Sequence, residues 1–335
     1  MATIKDVARR AGVSTMTVSR AINNSGYISP ETRERVARAI AELDYLPNAL
    51  ARSLRHKQTR TLALVLADIT NPFSTTVSRG VEDAAKEQGF SVLLCNTDES
   101  AEVEQEYLSI LLQKQVDGVL FVPTSADSAA AALLRARGVP AVALDRRVAG
   151  EPMDTVRGDS EGGADELVRH LIGLGHTRIA VLTGPVSVST AADRVAGYRR
   201  AMAAAGLSVD ERLVCADDFT TAGGYRSTRR LLAEGPRPTA IFGGNNFIAF
   251  GAYRALREAG LRVPGDVSLV TFDDLPEAWL MQPFLTTVNQ PAYEIGRQAT
   301  TLLVERLGGR AAPEAREIVL PATLIVRRSS GPPPA

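Results

Sequence analysis

Two sets of residues in this chain have types and spacings that could do chemistry. The first is Thr15, Met16, Thr17, Ser19 and Arg20, short hydroxyl side chains and one guanidinium with no carboxylate among them. On one helix such a run can donate to phosphates and base edges without repelling a polyanion. The second set stands just after apolar runs further along: Asp68, Asn71 and Phe73, then Asp145 and Arg146, Gly184 and Pro185, Asn245 and Asn246, and Asp273 and Asp274. Carboxylates and amides gathered beside an aromatic ring can pair with several hydroxyls of a polyol while the ring packs on its C–H face. Plainer uses compete: Asp145 and Asp273 could cap helices, and Phe73 could be core.

The elements that must position the first set are short helices. Thr3-Ile4-Lys5-Asp6 has capping-box form, and Ile4, Val7, Ala8 and Ala11 follow at helical spacing. Gly12 breaks that helix with the positive φ a tight turn needs. Ser14 caps a second helix, 15–22, with Val18 and Ile22 inward. After the turn cluster Asn23-Asn24-Ser25-Gly26, Ser29-Pro30 opens a third helix with Val36, Ala39, Ile40 and Leu43 on its apolar face. Three short helices with a tight turn between the first two describe a helix-turn-helix unit, whose second helix enters the major groove.

From Thr61 the pattern changes. Apolar runs at 62–66, 92–95, 119–122, 141–144, 179–182, 240–242 and 269–272 predict strands. Amphipathic stretches at 77–88, 103–113, 164–174, 194–204, 224–232, 248–258 and 293–307 predict helices. This alternation, with near-continuous apolar strands, means parallel sheet covered by helices, with enough units for two sheets. Ligands of such sheets sit beyond the carboxyl ends of the strands, where the second set falls.

Charge separates the two regions. Residues 1–57 hold ten Lys/Arg against five acids, so a head of +5 is joined to a body of −5 in a chain of net charge zero. That asymmetry suits a protein whose head alone meets a polyanion. Cys95 and Cys215 have no metal-type spacing, and Cys95 reads as a small buried hydrophobe. No signal core or membrane-length apolar run is present, so a cytoplasmic, nucleoid-associated protein is expected. Ser329 to Pro334 reads as a disordered tail over 329–335.

The string Ile4-Lys5-Asp6-Val7-Ala8, Ala11-Gly12-Val13-Ser14, Thr17-Val18-Ser19-Arg20 and Asn23, continued by Thr32-Arg33, Glu42-Leu43, Tyr45 and Pro47-Asn48, resembles the head of the lactose-repressor (LacI/GalR) family. The resemblance runs to about Arg328. It implies DNA contacts from Thr3, Ser14, Thr15, Met16, Thr17, Ser19, Arg20 and Asn23. It also implies a hinge helix with Asn48, Ala51 and Leu54 in the minor groove, Leu54 acting as an apolar wedge. Leu54 could equally be an ordinary linker residue. In the body, Asn71, Phe73, Asp145, Arg194, Phe219, Asn245 and Asp273 match the family's effector-contacting positions, and Asp68 joins them as an effector-binding candidate from its place after the first strand. Phe219 could instead be core, and Arg194 a surface ion-pair partner. Two departures stand out: Asn246 replaces the family's common Asp, and Val188 stands where purine-responsive members carry Arg.

These readings converge on an all-α helix-turn-helix head plus an α/β, periplasmic-binding-protein-like sensor of two parallel-sheet subdomains. The expected division is 1–47 head, 48–59 hinge and linker, and 60–328 sensor. One sensor subdomain takes about 60–158 plus 290–318, the other 159–289 plus 319–328. The expected function is a transcription repressor that binds palindromic operator DNA as a homodimer under control of a sugar-like effector, with no cofactor, no metal and no membrane. A solute-binding protein of transport would use the same body but needs an export signal and no basic head. An enzyme reading finds three His and no phosphate loop, G-x-S-x-G or H-E-x-x-H.

Overall fold

The local rules written into the first forty residues produce the head. In the computed structural model, which describes residues 2–45, 58–127, 129–150, 152–275 and 284–334, α1 (Ile4–Ala11) begins on a complete Thr3–Asp6 capping box. It ends at Gly12 in the left-handed region. Ser14 caps α2 (Thr15–Asn23), and Ser29 with Pro30 starts α3 (Pro30–Glu42). Val7, Ala8, Ala11, Val18, Val36 and Ala39 close a small core among the three helices.

The chain divides into two compact units, Met1–Thr59 and Arg60–Ala335. The second is built twice over. β1 (Thr61–Leu66), β2 (Ser91–Asn96), β3 (Gly118–Phe121), β4 (Ala141–Leu144), β5 (Asp154–Gly158) and β11 (Glu317–Leu320) form one sheet in the order β11-β5-β4-β3-β1-β2. β6 (Ile179–Thr183), β7 (Val214–Ala216), β8 (Ala240–Gly243), β9 (Ser268–Phe272), β10 (Thr286–Asn289) and β12 (Thr323–Ile325) form the other in the order β12-β10-β9-β8-β6-β7. The first sheet is parallel throughout, and β12 alone runs antiparallel, against β10. The strand orders match position for position. The inner strands are apolar because both faces are covered; β3, β6, β8 and β9 are buried along their whole length.

Helices α4 (Pro72–Glu87), α5 (Ala101–Gln113), α6 (Ala129–Ala136), α7 (Ser160–Gly173), α8 (Ser189–Ala204), α9 (Thr221–Ala233), α10 (Asn246–Glu258) and α11 (Ala292–Leu307) cover the sheets. α4 and α11 meet backbone to backbone. A Cβ on Gly80 would stand 2.0 Å from the Tyr293 carbonyl oxygen, and one on Gly296 2.2 Å from that of Val77. The chain passes from one half to the other between β5 and α7, between β10 and α11, and between β11 and β12, because α11 joins the first sheet's core through Ile295, Ala299 and Leu303. No helix among the described residues is long and apolar enough to cross a membrane.

Two expectations are corrected. The segment from Ser329 is ordered and bonded rather than a disordered tail. Ser329 is buried, accepts from Leu269 N–H at 2.9 Å and donates its own N–H to Phe284 O at 3.1 Å. His170 Nε2 lies 2.9 Å from Ser330 Oγ, and His176 Nε2 donates to Gly331 O at 2.8 Å. Composition rules read Ser, Gly and Pro as tail-forming, whereas here the backbone of Ser329 and Gly331 and the hydroxyls of Ser329 and Ser330 find partners on strands distant in sequence. Cys95 is only half-buried, because β2 is an edge strand with Leu93 and Leu94 40% and 43% exposed.

Candidate DNA-reading face and ligand cleft

On the head, Thr15, Met16, Arg20 and Asn23 are exposed along α2, with Met16 52% exposed. Other members are engaged locally. Ser14 Oγ accepts from Thr17 N–H at 3.1 Å and lies 3.0 Å from Thr17 Oγ1. Asn23 Nδ2 donates to Ser19 O at 2.8 Å. Thr3 Oγ1 donates to Asp6 at 2.7 Å, so its hydroxyl proton serves the cap. Tyr27, not singled out from the sequence, is 90% exposed beside Gly26, where a Cβ would lie 3.8 Å from the Arg20 side chain. The hinge positions Asn48, Ala51 and Leu54 lie outside the described residues.

In the body, all eight residues expected at the effector site line one cavity of about 70 Å³: Asp68, Asn71, Phe73, Asp145, Arg194, Phe219, Asn245 and Asp273. The strand-end rule explains this meeting. Asp68 follows β1, Asp145 follows β4 and Asp273 follows β9, and Asn71 and Asn245 cap α4 and α10. Asp145 and Asp273 cap no helix among the described residues. Arg194 is 3% exposed, so it is no surface ion-pair partner. Phe73 and Phe219 serve twice, packing on a core cluster and lining the cavity. Gly184 does not line the cavity but makes room for Phe219, whose ring atoms would lie 2.4 Å from a Cβ there.

The polar groups differ in how far they are engaged. Asn245 Oδ1 accepts from Ile248 N–H at 2.8 Å and its Nδ2 donates to Phe219 O at 3.0 Å, so its amide is largely structural. Asp68 accepts twice from Thr70, each at 2.7 Å. Arg146 is held bidentate by Glu99, both bonds 2.6 Å, with its guanidinium 5.2 Å from the Phe219 ring centre. Arg194 donates to Gly244 O, stacks 4.0 Å from the Phe272 ring centre and stands 3.9 Å from Asp273 Oδ2. Asp145 Oδ1 and Arg194 Nε are buried without a hydrogen-bond partner. Such orphans are costly unless something else satisfies them.

Burial drives the electrostatics. It lifts the Asp145 carboxyl to about 6 against the attraction of Arg194 and then Arg146. It also raises Asp273, opposed by Arg194 and by Gln290. Gln290 was missed from the sequence because it sits on a crossover after β10 rather than at an apolar strand end. Its Nε2 donates to Asp273 Oδ1 at 2.7 Å, and its Oε1 would lie 2.0 Å from a Cβ on Gly158, the last residue of β5. Glu99, Thr190 and Phe247 also line the cavity. Glu99 closely follows β2 and was within reach of the strand-end rule.

Comparison with known proteins closes the question of family. Residues 3–48 match the bacterial regulatory proteins of the lacI family, and residues 59–327 match the periplasmic binding proteins and sugar binding domain of the LacI family. The chain belongs to the LacI family of bacterial regulatory proteins. A ribose operon repressor of Escherichia coli (strain K12) is 41% identical over 92% of this chain and 93% of its own. Among solved structures, a lac repressor dimer bound to operator and the anti-inducer ONPF is 31% identical with a TM-score of 0.85, covering 98% of each chain. A transcriptional regulator CelR–cellobiose complex is 37% identical with a TM-score of 0.75, covering 98% of this chain and 100% of that one. This LacI-family member is thus a transcription regulator with a helix-turn-helix head and a sugar-binding-type body.

Proposed function

We propose that this LacI-family regulator is a repressor that grips a palindromic operator as a homodimer, and that a monosaccharide bound between its two sheets controls the grip. The observation carrying the sensor half is the cavity itself. Asp145 and Arg194, each with a buried polar atom that lacks a hydrogen-bond partner, line it together with Phe73 and Phe219. A sugar hydroxyl donates to the first and accepts from the second, and an aromatic face suits a C–H face. The cavity, about 70 Å³ in volume, is compact, which favours a small sugar over a disaccharide. The likeness to a ribose operon repressor points the same way. Val188 is buried at the head of α8 and offers no charge to a purine.

In this reading residues 1–47 read DNA through the exposed side of α2, 48–59 link, and the two sheet subdomains sense. Leu93 and Leu94, exposed on the edge strand β2, support a homodimer formed through the body. The protein works in the cytoplasm, on the nucleoid, and performs no catalysis. Calorimetric titration of the full chain with ribose, other pentoses, hexoses and cellobiose tests the sensor assignment. A monosaccharide that binds, with cellobiose silent, is the expected result. Binding of cellobiose alone would overturn the size argument, and binding of none of them the sugar assignment.

A further inference from the structure

Asn71 makes more of its hydrogen bonds to protein than a ligand-binding amide would. Its Oδ1 accepts from Phe73 N–H at 3.0 Å, which caps α4, and from Asn246 Nδ2 at 3.2 Å; its Nδ2 donates to Asn246 Oδ1 at 3.3 Å. Asn71 stands on the side of the first sheet, and Asn246, fully buried, is the first residue of α10 on the side of the second. The pair is reciprocal, each amide donating to and accepting from the other, and it spans the two halves at the wall of the cavity.

We infer that Asn71 and Asn246 form an uncharged clasp that sets the separation of the two sheet halves, so that both are positioning residues rather than sugar ligands. An amide is required at each end. A carboxylate only accepts, so an acid at 246 would keep one of the two bonds and place a charge in a fully buried position. The clasp carries no proton-dependent charge, unlike Asp145 nearby, so it holds at any pH at which the fold survives. A ligand that moves the two halves apart must stretch or break it. This last consequence rests on the sugar-controlled regulator reading, whereas the clasp itself does not.

Backbone hydrogen exchange on the full chain, without DNA or sugar, tests the clasp. Asn246→Ala removes it from one side. Asn71→Ser removes it from the other while leaving an oxygen that can still cap α4. The expected result is cross-cleft: Asn246→Ala speeds exchange several-fold in 71–77, Asn71→Ser does so in 246–252, and the double variant exceeds neither single change. Effects confined to the substituted side, or multiplying in the double variant, would overturn the clasp. The same variants, assayed on a DNA site recovered by selection, are expected to change operator affinity at least threefold. Unchanged affinity beside a cross-cleft exchange effect would overturn the clasp's role in regulation alone.

Discussion

Asp145 and Asp273 occupy the same place in the two halves of the body. Each follows the third strand from the end of its sheet, β4 or β9, and each holds a left-handed backbone, with φ of 62° and 65°. Each donates its N–H at 2.9 Å to the next strand over, to Val156 O and to Val288 O respectively. Non-glycine residues in this region are uncommon and cost energy, and such strain persists where the surroundings enforce it. Here it turns two carboxylates from opposite halves toward one buried Arg194.

Asp273→Ala should separate sensing from reading. The carboxylate is bonded by Gln290 and faces Arg194, whereas the DNA-reading helix belongs to a separate compact unit. Sugar affinity is expected to fall roughly 10- to 100-fold, the worth of a charged hydrogen bond of about 1.5–3 kcal/mol, with operator affinity kept. Paired sugar and DNA titrations check this, and retained sugar affinity would remove Asp273 from the pocket.

Asp145 sets a pH dependence. Burial raises its carboxyl to about 6, so between its ordinary value and 6 the folded chain holds a proton that the unfolded chain has released. Its contribution to stability is therefore greatest below that window and falls as pH rises through it. Asp145→Asn removes this cost and is expected to stabilise the body by up to about 3 kcal/mol at pH 7.5, with little gain near pH 4, while abolishing the sugar response. Thermal unfolding at both pH values reads the difference. An equal change in Tm at the two pH values would contradict the buried-charge assignment.

Much of this site was legible because its logic is topological. Apolar runs such as Leu62–Leu66 identify inner strands, and the residue after such a strand is carried to the sheet's carboxyl end whatever its neighbours. That is how Asp68, Asp145 and Asp273 could be placed together. β5 and β10 were missed because Asp154–Gly158 and Thr286–Asn289 mix polar residues into strands that are specified by their partners. α6 is only eight residues long and five of them are alanine, too short a stretch to display a helical period. The Asn71–Asn246 pairing and the Gln290 contact depend on side-chain register across the crossovers, which no local pattern encodes.

The segment after Arg328 should matter to stability. It leaves Leu269 N–H, Thr286 N–H and the His176 ring bonded to Ser329 and Gly331, and burial holds both His170 and His176 below the ordinary histidine range. Deleting 329–335 is expected to cost roughly 1–3 kcal/mol for each buried group left unpaired, seen as a lower urea midpoint. An unchanged midpoint would mean that the segment is only a passenger.

Arg20→Ala addresses the head. Arg20 is exposed near the end of α2. If its guanidinium forks onto a base, the variant loses about 1–3 kcal/mol on the preferred site and relaxes selectivity at one base position. A uniform loss across all sequences would make Arg20 a phosphate contact instead.

The most direct test of the whole account is selection of binding sites from random duplex DNA by the purified full chain, with and without pools of monosaccharides. The account predicts one palindromic motif, recovered without sugar and released by a monosaccharide that also binds the cleft. Failure to recover any motif under either condition would contradict it.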